Sequence, residues 1–402
     1  MRRLGIAFFA VALLAGAGFG AAAPGAAASS PANPTFLYAV NDGVVNTVSA
    51  YTVRHDGSLH EIAGSPFLTG GAGDAARPDG YAFISASTVA VVRVADRLYV
   101  ANMGSTPATV SAFAINTRTG ALRALRGSPY TLGFSDEFSL AVTPDRHFVF
   151  AAQVNAHNVE TLRVNRDGSL DTAHRVDTGV GIITDGIAVS ADGRWLAIAG
   201  LVDMTVTPQD FKIQVFKVSA RTGALTEATG SPMPTMATTV AFGPSHNGRT
   251  TLFAGTLAGA VEDYAVTPTT ITKISSVTVN SEVSGLQGIA VTPDGSMVYA
   301  SEAWTSSLYS FAVDRHGVLS LAAGPVAVGP TRVLEGVTLS PDGKRLYFSL
   351  VGEDAGAGAP GSIGAVRLGS HGLMSGTVPG LPMATGQIGW LRSIVLVEGE
   401  AR

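Results

Sequence analysis

Short runs along this chain alternate apolar and polar residues. Thr47-Val-Ser-Ala-Tyr-Thr-Val53, Thr109-Val-Ser-Ala-Phe-Ala-Ile115, Ile213-Gln-Val-Phe-Lys-Val218 and Ser307-Leu-Tyr-Ser-Phe-Ala-Val313 all keep period two, the signature of a half-buried strand. Each run ends in a polar turn. These turns are Asp56-Gly57, Thr119-Gly120, Asp167-Gly168, Thr222-Gly223, His316-Gly317 and His371-Gly372, with Thr269-Thr270 holding the fifth place without a glycine. Asp-Gly is a hairpin signal because glycine supplies positive φ without steric cost. A further strand follows each turn, as in Ala121-Leu-Arg-Ala-Leu125, often closing on Gly-Ser-Pro (64–66, 127–129, 230–232).

A longer phrase recurs above this local pattern. Leu286-Gln-Gly-Ile-Ala-Val-Thr-Pro-Asp-Gly-Ser-Met-Val-Tyr-Ala300 is repeated by Leu334-Glu-Gly-Val-Thr-Leu-Ser-Pro-Asp-Gly-Lys-Arg-Leu-Tyr-Phe348 and by Asp185-Gly-Ile-Ala-Val-Ser-Ala-Asp-Gly-Arg-Trp-Leu-Ala197. Worn copies run from Ser139 to Phe150 and from Thr239 to Phe253. The prolines 144, 244, 293 and 341, with Ala191 standing in once, are 47, 53, 49 and 48 residues apart. A fixed period of about 40 to 50 residues built from short strands signals a β-propeller. Each unit then has four strands: A carries the Val-Thr-Pro-Asp-Gly phrase, B is Leu-Tyr-Val-Ala-like, C precedes the glycine turn, and D follows it.

The expected fold is all-β: a seven-bladed propeller with four antiparallel strands per blade. The first unit opens directly on strand B, Phe36-Leu-Tyr-Ala-Val40, while Gly389-Trp-Leu-Arg-Ser-Ile-Val-Leu-Val397 is one A-like strand too many. Closure of blade 1 by that C-terminal strand removes two open edges. Residues 35–398 are read as one domain, 29–34 as a linker and 399–402 as a tail.

Composition adds a destination. Arg2-Arg3, an apolar run from Leu4 to Ala17, and Ala26-Ala27-Ala28 before Ser29 read as a cleavable signal peptide over residues 1–28. The apolar run is shorter than the roughly 20 residues of a membrane span, so no stable membrane anchor is expected after cleavage. The expected location is secreted or periplasmic. With no Cys, disulfides, lipid attachment to cysteine and zinc–thiolate sites are excluded. Loss of Arg2 and Arg3 leaves 24 basic against 30 acidic residues, which argues against nucleic acid as a partner. A monomer without a cofactor or metal is expected.

Candidate chemistry gathers at one end of the channel. Strand A lines it and strand B runs antiparallel, so the start of A and the end of B share a face. The long connections Gly70–Ser87, Asp203–Asp210 and Gly352–Ser362 are of the types that lie there, and elaborated loops on a rigid scaffold commonly carry function. Six residues before the proline, at the channel entry, stand Asp185, Gln287 and Glu335, and by looser alignment Arg392 and Thr238. Blade 3 has Phe138 there, beside Glu137. Ends of strand B supply Asn41-Asp42, Asn102, Gln153 and Glu302, with Trp304 nearby. Asp185 and Glu335 could act as general base or acid if burial raised a pKa, with Arg392 as the third catalytic candidate. Gln287, Glu302, Asn102, Trp304 and Glu137 are candidates for substrate binding. A water-filled channel lined by polar residues without function stays open as the alternative. The Asp of each Pro-Asp-Gly reads as a turn residue. The eight histidines form no metal-ligand spacing, and neither a Gly-x-Ser-x-Gly elbow nor a phosphate loop is present.

Leu98-Tyr-Val-Ala-Asn102, Val291-Thr-Pro-Asp-Gly295, Leu339-Ser-Pro-Asp-Gly343 and Thr109-Val-Ser-Ala-Phe-Ala-Ile115 with Thr119-Gly-Ala-Leu122 resemble the lactonase-type seven-bladed β-propellers. That group includes 6-phosphogluconolactonase-like and carboxymuconate-cyclase-like enzymes and shades into the Tyr-Val-Thr-Asn repeat proteins. The resemblance spans about residues 35–398 and rests on strand and turn residues, which specify fold more than activity. It implies opening or formation of a lactone without a required metal, at the channel mouth, by acidic, His and Arg side chains. Asp185, Glu335, Arg392 and Glu302 stand at matching places, and no His does. Two functions follow. One is an exported lactone hydrolase, of carboxylic-ester hydrolase type, acting on a non-phosphorylated lactone. The other is a non-catalytic extracytoplasmic propeller that binds a cell-envelope protein or glycan through its top-face loops.

Overall fold

The computed structural model describes residues 33–73, 91–94, 96–135, 138–153, 156–201, 211–279, 285–303, 305–329, 333–351, 360–389, 391 and 393–400. The expected signal peptide 1–28, most of the linker 29–34, residues 401–402, Glu137, Trp304, Arg392 and much of the three long connections lie outside them. Among the described residues no helix is long and apolar enough to cross a membrane.

Seven antiparallel blades form a ring. Blade 1 takes strand A from the C-terminus, Ser393–Glu398, followed by B (Thr35–Val40), C (Thr47–Val53) and D (Leu59–Glu61). Thr35 pairs with Glu398 and Val40 with Ser393, so the chain's two ends close the ring in one sheet. Just beyond this strand, Gly399 N–H donates to the Pro34 carbonyl at 2.7 Å. The other blades run in sequence order. Blade 2 has Val91–Val94, Arg97–Asn102, Thr109–Ile115 and Leu122–Ala124, and blade 5 has Ala237–His246, Arg249–Thr256, Ala260–Val266 and Ile271–Thr278. Blade 6 has Leu286–Val291, Met297–Glu302, Ser307–Val313 and Leu319–Ala327, and blade 7 has Leu334–Leu339, Arg345–Leu350, Pro360–Leu368 and Met374–Thr377.

Blades 3 and 4 depart from the expected plan. No loop separates them. One strand of 20 residues, Leu170–Val189, serves both. Its first part, through Ile182, pairs with Ala156–Val164 as the outer strand of blade 3. From Ile183 it pairs with Trp195–Leu201 as the inner strand of blade 4. The outer strands hold a second refinement. In blades 1, 2 and 4 the Gly-Ser-Pro phrase does not end strand D; it kinks the chain so that Phe67–Leu68, Tyr130–Thr131 and Met233–Pro234 return to strand C. The serine hydroxyl takes over from the ladder at the kink. Ser65, Ser128 and Ser231 Oγ accept from Ala50, Ala112 and Val215 N–H at 3.1, 2.9 and 3.0 Å, so these three donors keep an acceptor at the kink.

Apolar faces of adjacent blades pack together; Tyr38, Tyr99, Phe113, Phe138 and Phe150 are among the fully buried side chains. The tyrosines of strand B also tie blades laterally. Tyr38, Tyr99, Tyr299 and Tyr347 donate to the carbonyls of Gly120, Gly168, Gly372 and Gly57 at 2.7, 2.8, 2.6 and 2.8 Å. Each acceptor is the C–D turn glycine of the following blade, so the two most regular features of the repeat meet. Burial pushes Tyr299 and Tyr347 up to about 12, and both stay neutral donors.

The Pro-Asp-Gly aspartates are turn residues. Asp294 Oδ1 accepts from Thr292 Oγ1 at 2.6 Å and from Ser296 N–H at 3.0 Å. Asp145, Asp192 and Asp342 repeat the arrangement with Thr143, Ser190 and Ser340. Burial opposes ionisation of these three carboxyls, but the hydrogen bonds overcome it and hold them below the usual range.

Candidate functional site: the mouth of the channel

The residues that vary where the repeat is otherwise constant share a backbone feature. In blade 4, Thr184 pairs with Gly200 and Gly186 with Ala199, so Asp185 has no partner of its own. In blade 5, Ala237 pairs with Thr256 and Thr239 with Gly255, leaving out Thr238. In blade 6, Leu286 pairs with Glu302 and Gly288 with Ser301, leaving out Gln287. In blade 7, Leu334 pairs with Leu350 and Val337 with Phe348, so Glu335 and Gly336 share one opposing residue. Each is a β-bulge on strand A at the channel entry. A bulge inserts one residue, bends its strand and re-aims a side chain.

The bulges bring neighbouring inner strands into backbone contact. A Cβ on Gly288 would lie 2.2 Å from the Glu335 carbonyl oxygen, and one on Gly186 would lie 2.8 Å from Thr239 Cα. The strands are stitched there: Thr238 Oγ1 donates to the Leu286 carbonyl at 2.6 Å and Ser301 Oγ to the Glu335 carbonyl at 2.7 Å. Glu335 is fully buried, and Gln287 is 8% exposed with its Oε1 buried and lacking a hydrogen-bond donor among the described residues.

The ends of strand B divide into two kinds. Asn102 is fully buried and its amide is engaged at both ends. Its Nδ2 donates to Thr109 Oγ1 and Ser111 Oγ at 2.9 and 2.7 Å, and its Oδ1 accepts from Asn46 Nδ2 at 3.0 Å. Asn41 repeats this in blade 1, donating to Thr47 Oγ1 and Ser49 Oγ at 2.8 and 3.0 Å. The terminal Asn of strand B therefore pins the Thr-Val-Ser start of strand C, which accounts for two recurring phrases by one contact. Glu302 occupies the same place in blade 6. Its Oε2 accepts from Thr305 Oγ1 and, at 3.2 Å, from the Tyr309 hydroxyl. Its Oε1 is buried without a donor among the described residues. Burial, then the Glu302 charge, push Tyr309 up to about 12.

Thus Glu335, Gln287, Glu302 and the backbone of Asp185 come to the mouth from blades 7, 6 and 4, while Asn102 is taken up by Thr109 and Ser111 of its own blade and Asn46 of blade 1. Arg392, Trp304 and Glu137 lie outside the described residues. The bulges were not anticipated, although three carry a signal: Gly186, Gly288 and Gly336 follow the variable position, and an isolated glycine in a strand pattern marks a bulge. Among the described residues no three His, Asp or Glu side chains cluster to hold a metal ion. A cleft of about 370 Å³ opens on the opposite face, between blades 5 and 6, and is not part of the mouth.

Residues 80–182 match the family model described as lactonase, 7-bladed β-propeller. Over that stretch the chain resembles the lactonase-type seven-bladed β-propellers. Solved structures agree on the fold. A candidate 6-phosphogluconolactonase from Bacteroides uniformis has a TM-score of 0.67 at 15% identity, with 91% of this chain and 99% of that one covered. The periplasmic gluconolactonase of Pseudomonas aeruginosa has a TM-score of 0.66 at 15% identity, covering 92% and 100%. A protein from Lactobacillus plantarum has a TM-score of 0.66 at 16% identity, covering 91% and 100%. No curated protein sequence matches this chain.

Proposed function

We propose that this propeller is an exported hydrolase that opens a non-phosphorylated lactone at the bulged mouth of the channel. The observation that supports the reading is the run of four bulges on blades 4 to 7, one at each of the non-repeating residues Asp185, Thr238, Gln287 and Glu335. The lactonase family match and a structural neighbour that is a periplasmic gluconolactonase support it. In the reaction Glu335 or Asp185 takes a proton from water as the oxygen attacks the carbonyl carbon. Arg392 steadies the oxyanion, as preorganised charge does in acyl transfer. The ring C–O bond then breaks and the departing alkoxide takes up a proton, giving a hydroxy acid. Gln287 and Glu302 orient the substrate. The test is turnover of a panel of sugar and acyl lactones by the mature chain. Activity that survives Glu335→Gln combined with Asp185→Asn would sink this site.

A second reading, a binding propeller for a cell-envelope protein or glycan, is favoured by one feature. Val44, Val45 and Leu68, in the connections of blade 1 on the mouth side, are 64%, 63% and 67% exposed. Envelope pull-down with Val44→Ser/Leu68→Ser separates it from the first: partner capture that depends on those residues, with no lactone turnover, favours binding.

A further inference from the structure

Three blades open strand B with an arginine: Arg97 in blade 2, Arg249 in blade 5 and Arg345 in blade 7. Each side chain lies against the C–D turn glycine of the next blade, at Gly168, Gly317 and Gly57. Two of the three hold an acid. Arg97 Nη1 is 2.5 Å from Asp96 Oδ2. Arg345 Nη1 is 3.2 Å from Asp342 Oδ2, and its Nη2 donates to the His55 carbonyl. Arg249 has no carboxylate partner among the described residues. Its Nε and Nη2 are buried without any hydrogen-bond partner there, whereas of the other two only Arg97 Nε is left unbonded.

The cause is local sequence. Blade 7 turns from A to B through Pro341-Asp-Gly-Lys-Arg345, which puts Asp342 three residues before the arginine. Blade 5 turns through Pro244-Ser-His-Asn-Gly-Arg249, with an Asn-Gly hairpin, and His246 stands three residues before Arg249 and pairs across from it. The counter-ion position has lost its charge. Beside it opens the cleft of about 370 Å³, whose lining includes His246, Arg249, Arg315 and His316 together with Asp294 and Asp314. Those two carboxylates stay ionised but are engaged in their own turns. Asp294 accepts from Thr292 and Ser296, and Asp314 Oδ1 accepts from His316 and Val318 N–H, each at 2.8 Å. Asp263 feels the Arg249 charge without bonding to it, and burial pushes its carboxyl up.

We propose that this cleft binds a small oxyanion, a carboxylate or phosphate group, on Arg249, in the role that Asp342 fills for Arg345. A guanidinium presents a planar fork of donors suited to such groups. Arg315 and the two imidazoles stand around the same opening. The unbonded nitrogens are buried, with Nη2 against Gly317, so binding includes a turn of the guanidinium toward the cleft. The site is on the face opposite the mouth and does not rest on the lactonase reading.

The experiment is calorimetric titration of the mature chain with inorganic phosphate and, separately, with acetate, in a non-coordinating buffer. Saturable binding of one probe is expected, and the tighter probe identifies the oxyanion. Arg249→Gln is expected to weaken it by about tenfold or more. His246→Asp restores the acid three residues before the arginine; it should weaken binding comparably and raise the melting temperature without any ligand. Circular dichroism checks that both variants keep the fold. Failure of both probes to bind the wild-type chain overturns the proposal. So does unchanged binding in either variant, because both changes act on the one guanidinium.

Discussion

In blades 4 to 7 the inner strand carries one residue more than strand B can pair, and among the described residues of blades 1, 2 and 3 it pairs residue for residue. The two halves obey the same repeat and close the same ring. They differ in what the channel-entry position can do. In blade 3 that position is Phe138, fully buried and paired with Gln153. In blades 4 to 7 it is Asp185, Thr238, Gln287 or Glu335, each lifted out of register. A ladder fixes side chains by alternation, whereas a bulge breaks the alternation at one point and leaves the rest of the strand in place. The fold can thereby vary the chemistry of its mouth without altering how blades stack.

The largest effect should separate the two halves functionally. With a lactone that the protein turns over, Glu335→Gln is expected to lower kcat by roughly 10²–10⁴, the range for loss of a general acid or base. Gln287→Ala should act mainly on KM. Ser139→Ala, on the unbulged strand of blade 3, should change neither, since the Ser139 hydroxyl is buried without a partner among the described residues. Steady-state kinetics decide it, and equal losses in both halves would remove the bulges from the argument.

The next effect is on stability. Gly288→Ala places a methyl 2.2 Å from the Glu335 carbonyl and 2.7 Å from Ser301 Oγ. Overpacking against backbone should cost about 1–3 kcal/mol, read by urea unfolding. Gly186→Ala, whose nearest contact is 2.8 Å, should cost less. The reverse order would mean that the bulge in blade 6 yields more easily than its contacts indicate.

A smaller effect probes the lateral ties. Tyr299→Phe removes the hydrogen bond to Gly372 and leaves that carbonyl without its donor, for about 0.5–1.5 kcal/mol. Blade 3 already has Phe150 in the matching place, so Phe150→Leu should act through packing alone. Lactone kinetics should be unaffected by Tyr299→Phe, because the contact lies away from the mouth.

Most of the ring is legible in sequence, because the residues that repeat are the ones that build it. Asp-Gly and Pro-Asp-Gly mark turns through local hydrogen bonds, and alternation marks strands through burial; both act within a few residues. The C-terminal strand was legible for a related reason: Ile394-Val-Leu-Val397 needs a partner, and blade 1 lacks a strand. What was not legible depends on two strands at once. The bulges exist only as a mismatch between A and B, and glycines 186, 288 and 336 hint at them without fixing them. The continuous strand through 178–182 reads locally as a glycine-bearing connection, and its two successive partners make it a strand. At the site, Glu335 and Gln287 stood out because they break the repeat. Asn102 drew attention because it is polar near the mouth, yet its partners Thr109 and Ser111 were already visible in the phrase that follows it.

The smallest effect tests the turns on the far face, and there blade 5 is the natural contrast, since its Pro244-Ser245 lacks the acid. Asp294 is held below the usual carboxyl range by the Thr292 hydroxyl first, then by Ser296 N–H and hydroxyl. A carboxyl with a lowered folded-state pKa stabilises the fold at pH above its unfolded value, and that contribution disappears as pH falls through the folded value. Thr292→Val removes the first cause. The variant should therefore melt below the wild type by a constant margin from pH 8 to 5, and the margin should shrink below about pH 4, near the ordinary carboxyl value of 3.8. The group is near the surface, so screening keeps the difference under about 1 kcal/mol. A margin that persists undiminished into strong acid would show that Thr292 acts through the Met297 backbone, with which it also bonds, and not through the aspartate.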